Sequence, residues 1–427
     1  MRRIIILFIS IIVFITTAAA LTSCYDAREI SDLSYVTAVG VDRGVSDKWR
    51  LTMQLRSMSG EGNGSESGGG GGAGKSKYTT MTIEAPAFIS AVELANTSLP
   101  RKVTFIHTRL LVFSEDFAKS GLLGEFIAPI VRFREFRRSM NIVVSKEPAE
   151  EFINNLKPTI GNTVVRDIEE LLKQTEETGY LPSVTLYELY NGLKSAYRQP
   201  IAIAGAVNKG ENFSEKGELW GNKFNISGDY YAGDVVKKGG NNIELLGCIV
   251  SDGDKMVGKL TGYETRMMMI VRGIFQKGTL VLRDPKKPEL VFGALLKEVS
   301  HPKIKVGFEG EKPLIDLKIN MHGDITAIQS RVNYESPEML PILEKEVEKS
   351  LEEGIRRTID KCKALDSDVF FFGTYAVRHF GTIEEWEKYN WNKHFKDAQV
   401  NVDVKFKIRR TGTQIMSAPI ISKEGTE

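Results

Sequence analysis

Residues 336–363, SPEMLPILEKEVEKSLEEGIRRTIDKCK, lie between two alternating stretches, 315–321 IDLKINM and 400–408 VNVDVKFKI. Leu340, Leu343, Val347, Leu351, Ile355 and Ile359 fall three or four apart and line one face of a helix. Ser336-Pro337-Glu338 reads as the helix start: a capping hydroxyl, a residue of fixed φ, then an acid at the positive end of the dipole. Glu352 occupies a polar position beside the stripe and reads as solvent-facing. The flanking stretches alternate apolar and polar side chains, the period of strands with one buried face. Strands around a long amphipathic helix predict a two-layer domain.

Working outward, the 427 residues exceed what one core supports, so several domains are expected. Strand-like and helix-like segments interleave upstream, which predicts an α+β, multidomain fold of mixed sheets with packed helices. Val103 to Phe113 reads as one strand, and Pro148 opens a helix. Further on, Asp252-Gly253 marks a hairpin, and Thr261-Gly262-Tyr263-Glu264 fits a capping box. Composition changes near Pro200 and near Leu290. The expected spans are a leader, 1–23; an N-terminal α+β domain, 24–200, with a flexible Gly-rich loop, 57–77; a small middle domain, 201–290; a C-terminal α+β domain, 291–412; and a tail, 413–427.

The leader is read from its chemistry. Arg2 and Arg3 are followed by an uncharged apolar run, Ile4 to Leu21, and then by Thr22-Ser23-Cys24. A basic start, an apolar stretch and small residues before a cut is the secretory pattern. Leu21-Thr22-Ser23-Cys24 resembles a lipobox, in which the thiol takes a diacylglyceryl group and becomes the first residue after cleavage. Cys24 is therefore the expected lipidation site. An uncleaved membrane helix is the competing reading, and both put the remaining chain outside the cytoplasm. The formal net charge is +2, and loss of Arg2 and Arg3 with the leader leaves a neutral chain. Such a chain has no electrostatic footprint for nucleic acid.

Motifs for chemistry are sparse. Gly69 to Ser76, GGGGAGKS, matches the P-loop pattern. A P-loop needs a strand before it and a helix after it, and here polar low complexity precedes and strand-like Tyr78-Thr79-Thr80 follows. The five histidines show no metal-binding spacing, and no Ser lies in G-x-S-x-G. Cys248 and Cys362 read as two separate buried thiols. The run Arg132-Phe133-Arg134-Glu135-Phe136-Arg137-Arg138 reads as a helix end docking acidic neighbours. No catalytic residue, cofactor or metal is expected, and the chain reads as a binding or signalling subunit. A solute-binding lipoprotein of a membrane transporter is the alternative and would show two similar lobes of parallel βαβ units. An exported hydrolase is a third class, without a motif to support it.

Four blocks in order resemble the Ger(x)C family, the lipoprotein C subunits of spore germinant receptors. They are Cys24 to Ile30 continuing to Gly40-Val41-Asp42; His107 with Phe117 to Leu122 and Arg132 to Arg137; Gly247 to Gly258 with Glu264-Thr265-Arg266; and Asp368-Val369-Phe370-Phe371-Phe372-Gly373 with Trp386, Trp391, Phe395 and Arg409 to Gly412. The family usually carries Gly where Phe371 stands, and the Gly-rich loop looks like an insertion. The resemblance implies a lipoprotein anchored to the outer face of the spore inner membrane. It also implies action in nutrient-triggered germination beside two integral membrane subunits, A and B. Germinant binding is not assigned to this chain by it.

Overall fold

The structure, a computed structural model, describes residues 1–20, 29–56, 78–159, 163–217, 224–414, 416–418, 421–422 and 425–426. Cys24 and the Gly-rich loop, 57–77, with its P-loop-like match, lie outside the described residues. The N-terminal apolar segment forms helix α1 (Arg2–Ala20). Among the described residues no helix is long and apolar enough to cross a membrane.

The first sheet is mixed. Its elements are β1 (Leu33–Arg43), β2 (Trp49–Arg56), β3 (Tyr78–Ala85), α2 (Phe88–Ser98), β4 (Lys102–Thr104), β5 (Leu110–Ser114), α3 (Glu115–Lys119), α4 (Leu123–Ile130), β6 (Asn141–Ser145), α5 (Ala149–Asn155), α6 (Val164–Thr178), α7 (Leu186–Leu193), β7 (Ile201–Val207), β8 (Ile243–Asp252) and β9 (Lys255–Leu260). The strand order is β3-β2-β1-β5-β6-β7-β8-β9, with β4 paired to β1. The β1–β5, β5–β6 and β6–β7 pairs are parallel, and the rest of the path is antiparallel. The single strand expected over 103–113 is two, because the chain turns between Phe105 and Thr108. Side chains alternate between two cores, as a pleated strand requires. Leu111 and Phe113 join the aromatic core under α2, α3 and α4, whereas Leu110 and Val112 join the larger core.

The second sheet has β10 (Lys277–Arg283), β11 (Val291–Glu298), β12 (Lys303–Glu309), β13 (Lys312–Ile328) and β14 (Gln399–Arg410), in the order β10-β11-β13-β12 with β14 parallel to β13. Helix α8 (Gly262–Arg272) leaves the first sheet with the expected capping box and packs on the long helix α9 (Leu340–Ala364). One continuous core runs from below the first sheet through α8 to the second. Both composition breaks fall inside sheets. β7 pairs with β6 and β8 across Pro200, and β10 pairs with β11 across Leu290. Residues 201–260 thereby extend the N-terminal sheet, and the middle span shares its neighbours' core.

Helix α9 buries its stripe as the spacing predicts, with Leu343, Val347, Leu351, Ile355 and Ile359 all inaccessible. It begins at Leu340, later than Ser336, because Pro341 is accommodated only in a first turn; within a helix its ring would strike the carbonyl four residues back. The polar flank of the stripe meets a strand edge. Strand β14 has a free edge, and α9 covers it. Glu352, Glu348 and Glu344 accept hydrogen bonds from the backbone N–H of Val404, Phe406 and Ile408 at 3.1, 2.9 and 3.0 Å. Arg356 donates to the carbonyls of Val400 and Val402 at 3.4 and 3.0 Å. The match is geometric: four helical residues rise about 6 Å and two strand residues about 6.6 Å, so successive turns meet successive edge groups.

Glu298 continues the buried face of β11, and its Oε1 is buried without a hydrogen-bond partner among the described residues. Burial pushes its carboxyl up to about 7.

Leu351→Ala is expected to cost ~2–5 kcal/mol through the cavity it leaves. Glu348→Ala is expected to cost ~1–3 kcal/mol, because it strands a backbone N–H. Urea unfolding measures both; a Glu348→Ala effect under about 0.5 kcal/mol, the surface scale, would contradict the edge role. At Glu298 the folded pKa is raised. Protonation therefore adds no cost at low pH, and stability is lost as pH rises from the usual carboxylate range through about 7. With solvent screening the loss is expected to be about 1–2 kcal/mol. Glu298→Gln should flatten that part of the stability–pH curve, and an unchanged slope would show the group is not responsible.

Candidate functional site: the clasp at 366–373 and the cavity beside it

The start of β1 comes first in the chain. Leu33 to Tyr35 pair in parallel with Lys102 to Thr104, and Tyr35 packs on His107, ring centroids 4.9 Å apart. The His107 imidazole is held below its ordinary pKa by partial burial, then by Arg137, Arg109 and Arg56. Residues 132–138 follow directly on the C-terminal end of α4 and continue as turns. Glu135 accepts from Thr104 Oγ1 and the Phe105 N–H at 2.9 and 2.7 Å, and Phe133 and Phe136 pack on Phe88 and Phe105. Arg132, Arg134, Arg137 and Arg138 are left exposed on this face.

The third and fourth family-like blocks meet in the interior. Asp368 is fully buried and accepts from the Phe370 N–H, the Gly373 N–H and Trp391 Nε1 at 3.1, 2.8 and 2.9 Å. Burial raises its carboxyl to about 6 against those donors. The Asp368 carbonyl accepts from the Gln199 N–H, and Gln199 Oε1 accepts from the Gly253 N–H. Ser367 donates to the Ser251 carbonyl and Trp386 Nε1 to the Ala196 carbonyl, at 2.7 and 2.9 Å. Gly373 permits the approach, since a Cβ there would fall 2.4 Å from the Tyr197 carbonyl. The C-terminal signature is therefore a clasp on residues 196–200 and on the β8–β9 hairpin. Glu264 and Arg266 do similar work on α8. Glu264 closes the capping box and pairs with Lys361 of α9 at 2.6 Å, while Arg266 donates to the carbonyls of Thr178 and Thr279.

The clasp leaves one opening. Phe371 has φ +68°, the left-handed region in which Gly is at ease and a bulky residue is strained by about 1–2 kcal/mol. Its ring lies within cation–π distance of two guanidinium groups, Arg272 at 3.8 Å and Arg198 at 5.3 Å. All three line a cavity of about 300 Å³ whose wall also carries Tyr187, Glu188 and Asn191. Neither arginine is singled out by spacing. A signal does exist for Arg272: it follows the unbroken apolar run Met267 to Val271, which carries the last turn of α8 inside.

The other expected residues stay apart. Cys248 and Cys362 are buried and unpaired, and burial pushes the Cys248 thiol up to about 12. Among the described residues no group of three or more His, Cys, Asp or Glu side chains is placed to hold a metal ion.

Residues 26–204 match a family described as "Spore germination protein N-terminal domain", and residues 247–412 match "Spore germination B3/ GerAC like, C-terminal". Spore germination protein KC of Bacillus subtilis (strain 168) is 26% identical over 94% of this chain and 95% of that protein. Spore germination protein B3 of the same strain is 23% identical over 92% and 95%. The crystal structure of the GerBC protein superposes with a TM-score of 0.50 at 16% identity, covering 87% of this chain and 96% of that one, and so shares the fold.

Asp368→Ala would leave three buried donors without an acceptor. It is expected to cost about 3–5 kcal/mol in thermal unfolding of the full chain. A loss below about 1 kcal/mol would show that the clasp is not held by this carboxylate.

Proposed function

The chain belongs to the Ger(x)C family and has a role in spore germination, and from that premise we propose that it is a non-enzymatic, lipid-anchored subunit of a germinant receptor. In this reading Met1 to Ser23 is a cleaved leader and Cys24 carries the lipid. The ectodomain stands on the outer face of the spore inner membrane and docks with two integral membrane subunits, A and B. The observation that carries the reading is the order of parts. A basic and apolar leader ends at Cys24, and the first family match begins at residue 26.

Two further features agree with it. Strand β1 starts nine residues after Cys24, so the end bearing Tyr35, His107 and the exposed arginines 132–138 is the end nearest the tether. Anionic headgroups would attract that face at about 1 kcal/mol per basic residue close to the surface, a modest addition to two buried acyl chains. Asp368, Trp391 and Glu264 of the family-like blocks are spent on internal bonds. A transporter's solute-binding lipoprotein would need two similar lobes. The nine-stranded mixed sheet and the five-stranded sheet differ in size, order and strand direction, so that alternative has no support here.

Wild-type protein from spore membranes is expected to begin at a diacylglyceryl-modified Cys24 in mass spectrometry. Cys24→Ala is expected to keep residues before position 24 and to germinate weakly in response to nutrients. An unmodified Cys24 with Met1 to Ser23 still attached in the wild type would overturn the anchor.

A further inference from the structure

Two arginines on one helix, α8, are treated differently by the fold. Arg266 is almost wholly inaccessible, yet it donates to the Thr178 and Thr279 carbonyls and lies 4.0 Å over the Tyr180 ring. Its donors are used within the chain. Arg272, six residues on, has among the described residues only the Met268 thioether in hydrogen-bond range, at 3.7 Å. Arg198, over the same Phe371 ring, has its Nε buried with no hydrogen-bond partner among the described residues. Among the described residues no carboxylate forms an ion pair with either group; Glu188, on the same wall, spends its carboxylate on the Thr185 cap. The C-terminal end of α8 supplies Arg272 with only a partial negative charge.

Two like charges turned toward one cavity repel each other, and both arginines are half-buried, so each is a partly desolvated cation without a counter-charge. Consistent with this, burial and the neighbouring Arg198 draw the Arg272 pKa down, to about 10, against the pull of Glu188. Phe371 adds a strained backbone to the same spot, and the cation–π contacts it gains are each worth only about 0.5–2 kcal/mol. Sites that hold such strain and such unpaired donors are commonly built for a ligand.

We propose that the cavity between α7, the start of β7, the end of α8 and Phe371 binds a small organic monocarboxylate. The carboxylate would lie in the fork of Arg272 and Arg198, which presents planar paired donors matched to its two oxygens. A short apolar body would lie against Phe371, Pro200 and Ile201, which form the less polar part of the wall. Glu188, on the same wall, repels a second negative charge, so multiply charged anions such as phosphate are disfavoured. The volume, about 300 Å³, is at the small end of ligand sites and admits a chain of a few carbon atoms with room to spare. This site stands apart from the anchor and from the docking proposed above, and neither is needed for it.

The test is equilibrium dialysis of the full chain, purified in detergent, against radiolabelled butyrate at fixed ionic strength. One saturable site per chain is expected in the millimolar range or tighter. Butyramide, the uncharged isostere, should fail to compete, and inorganic phosphate should compete about tenfold or more less well than acetate. Arg272→Gln and Arg198→Gln should each weaken butyrate about tenfold or more, the scale of a lost charged hydrogen bond. Arg272→Lys should weaken it less. Absence of saturable uptake by the wild type overturns the proposal, as does competition by butyramide equal to that of acetate. Because these two readouts use unaltered protein, they decide the matter even if an arginine variant fails to fold. Butyrate binding left intact in a folded Arg272→Gln variant would also overturn it.

Discussion

The fit of α9 along the free edge of β14 is the constraint on which the second half of the molecule depends. An open strand edge invites pairing with another chain, and proteins must cover or disrupt it. Here the cover is side-chain chemistry at matched spacing. Glu344, Glu348, Glu352 and Arg356 lie four apart and meet backbone groups of β14 that lie two apart. The same helix buries Leu343 to Ile359 against the sheet on its other flank, and packs on α8. Register, edge protection and core burial are thus set by one element, and α8 is fixed through it.

From α8 the consequences reach the clasp. Lys361 of α9 holds Glu264 at the start of α8, and Arg266 ties its middle to α6 and β10. Just beyond α9, Asp368 closes on residues 196–200 and Ser367 on the β8–β9 hairpin. The two sheets are joined by these buried polar contacts as well as by a common core. Such networks are costly when half satisfied and rigid when complete. A subunit that passes a signal between partners would gain from this stiffness, since a displacement at one end is transmitted and not absorbed.

Much of this was legible in the sequence, and the failures have physical reasons. The stripe of α9, the alternation in β13 and β14, the β8–β9 hairpin and the capping box at Thr261 are local patterns, and each is where the spacing puts it. Glu352 was misplaced because periodicity separates polar from apolar flanks but does not say whether water or a strand edge meets the polar one. The helix start at Ser336 yielded to the steric demand of Pro341. The sheet runs across Pro200 because the β6–β7 pairing is non-local, and composition records segments, not partners. Of the candidate cavity only Phe371 stood out, as a departure from Gly. Arg198 and Arg272 are brought to it by tertiary packing alone.

Membership of a membrane-anchored receptor is the proposal on which the functional reading rests. It is tested most directly by purifying the tagged full chain from detergent-solubilised spore inner membranes and identifying by mass spectrometry what comes with it. The account predicts two integral membrane proteins in constant ratio to this chain, retained through high-salt washing. Recovery of the chain alone, from membranes in which the germination response was intact before solubilisation and cross-linking had been applied, would contradict it.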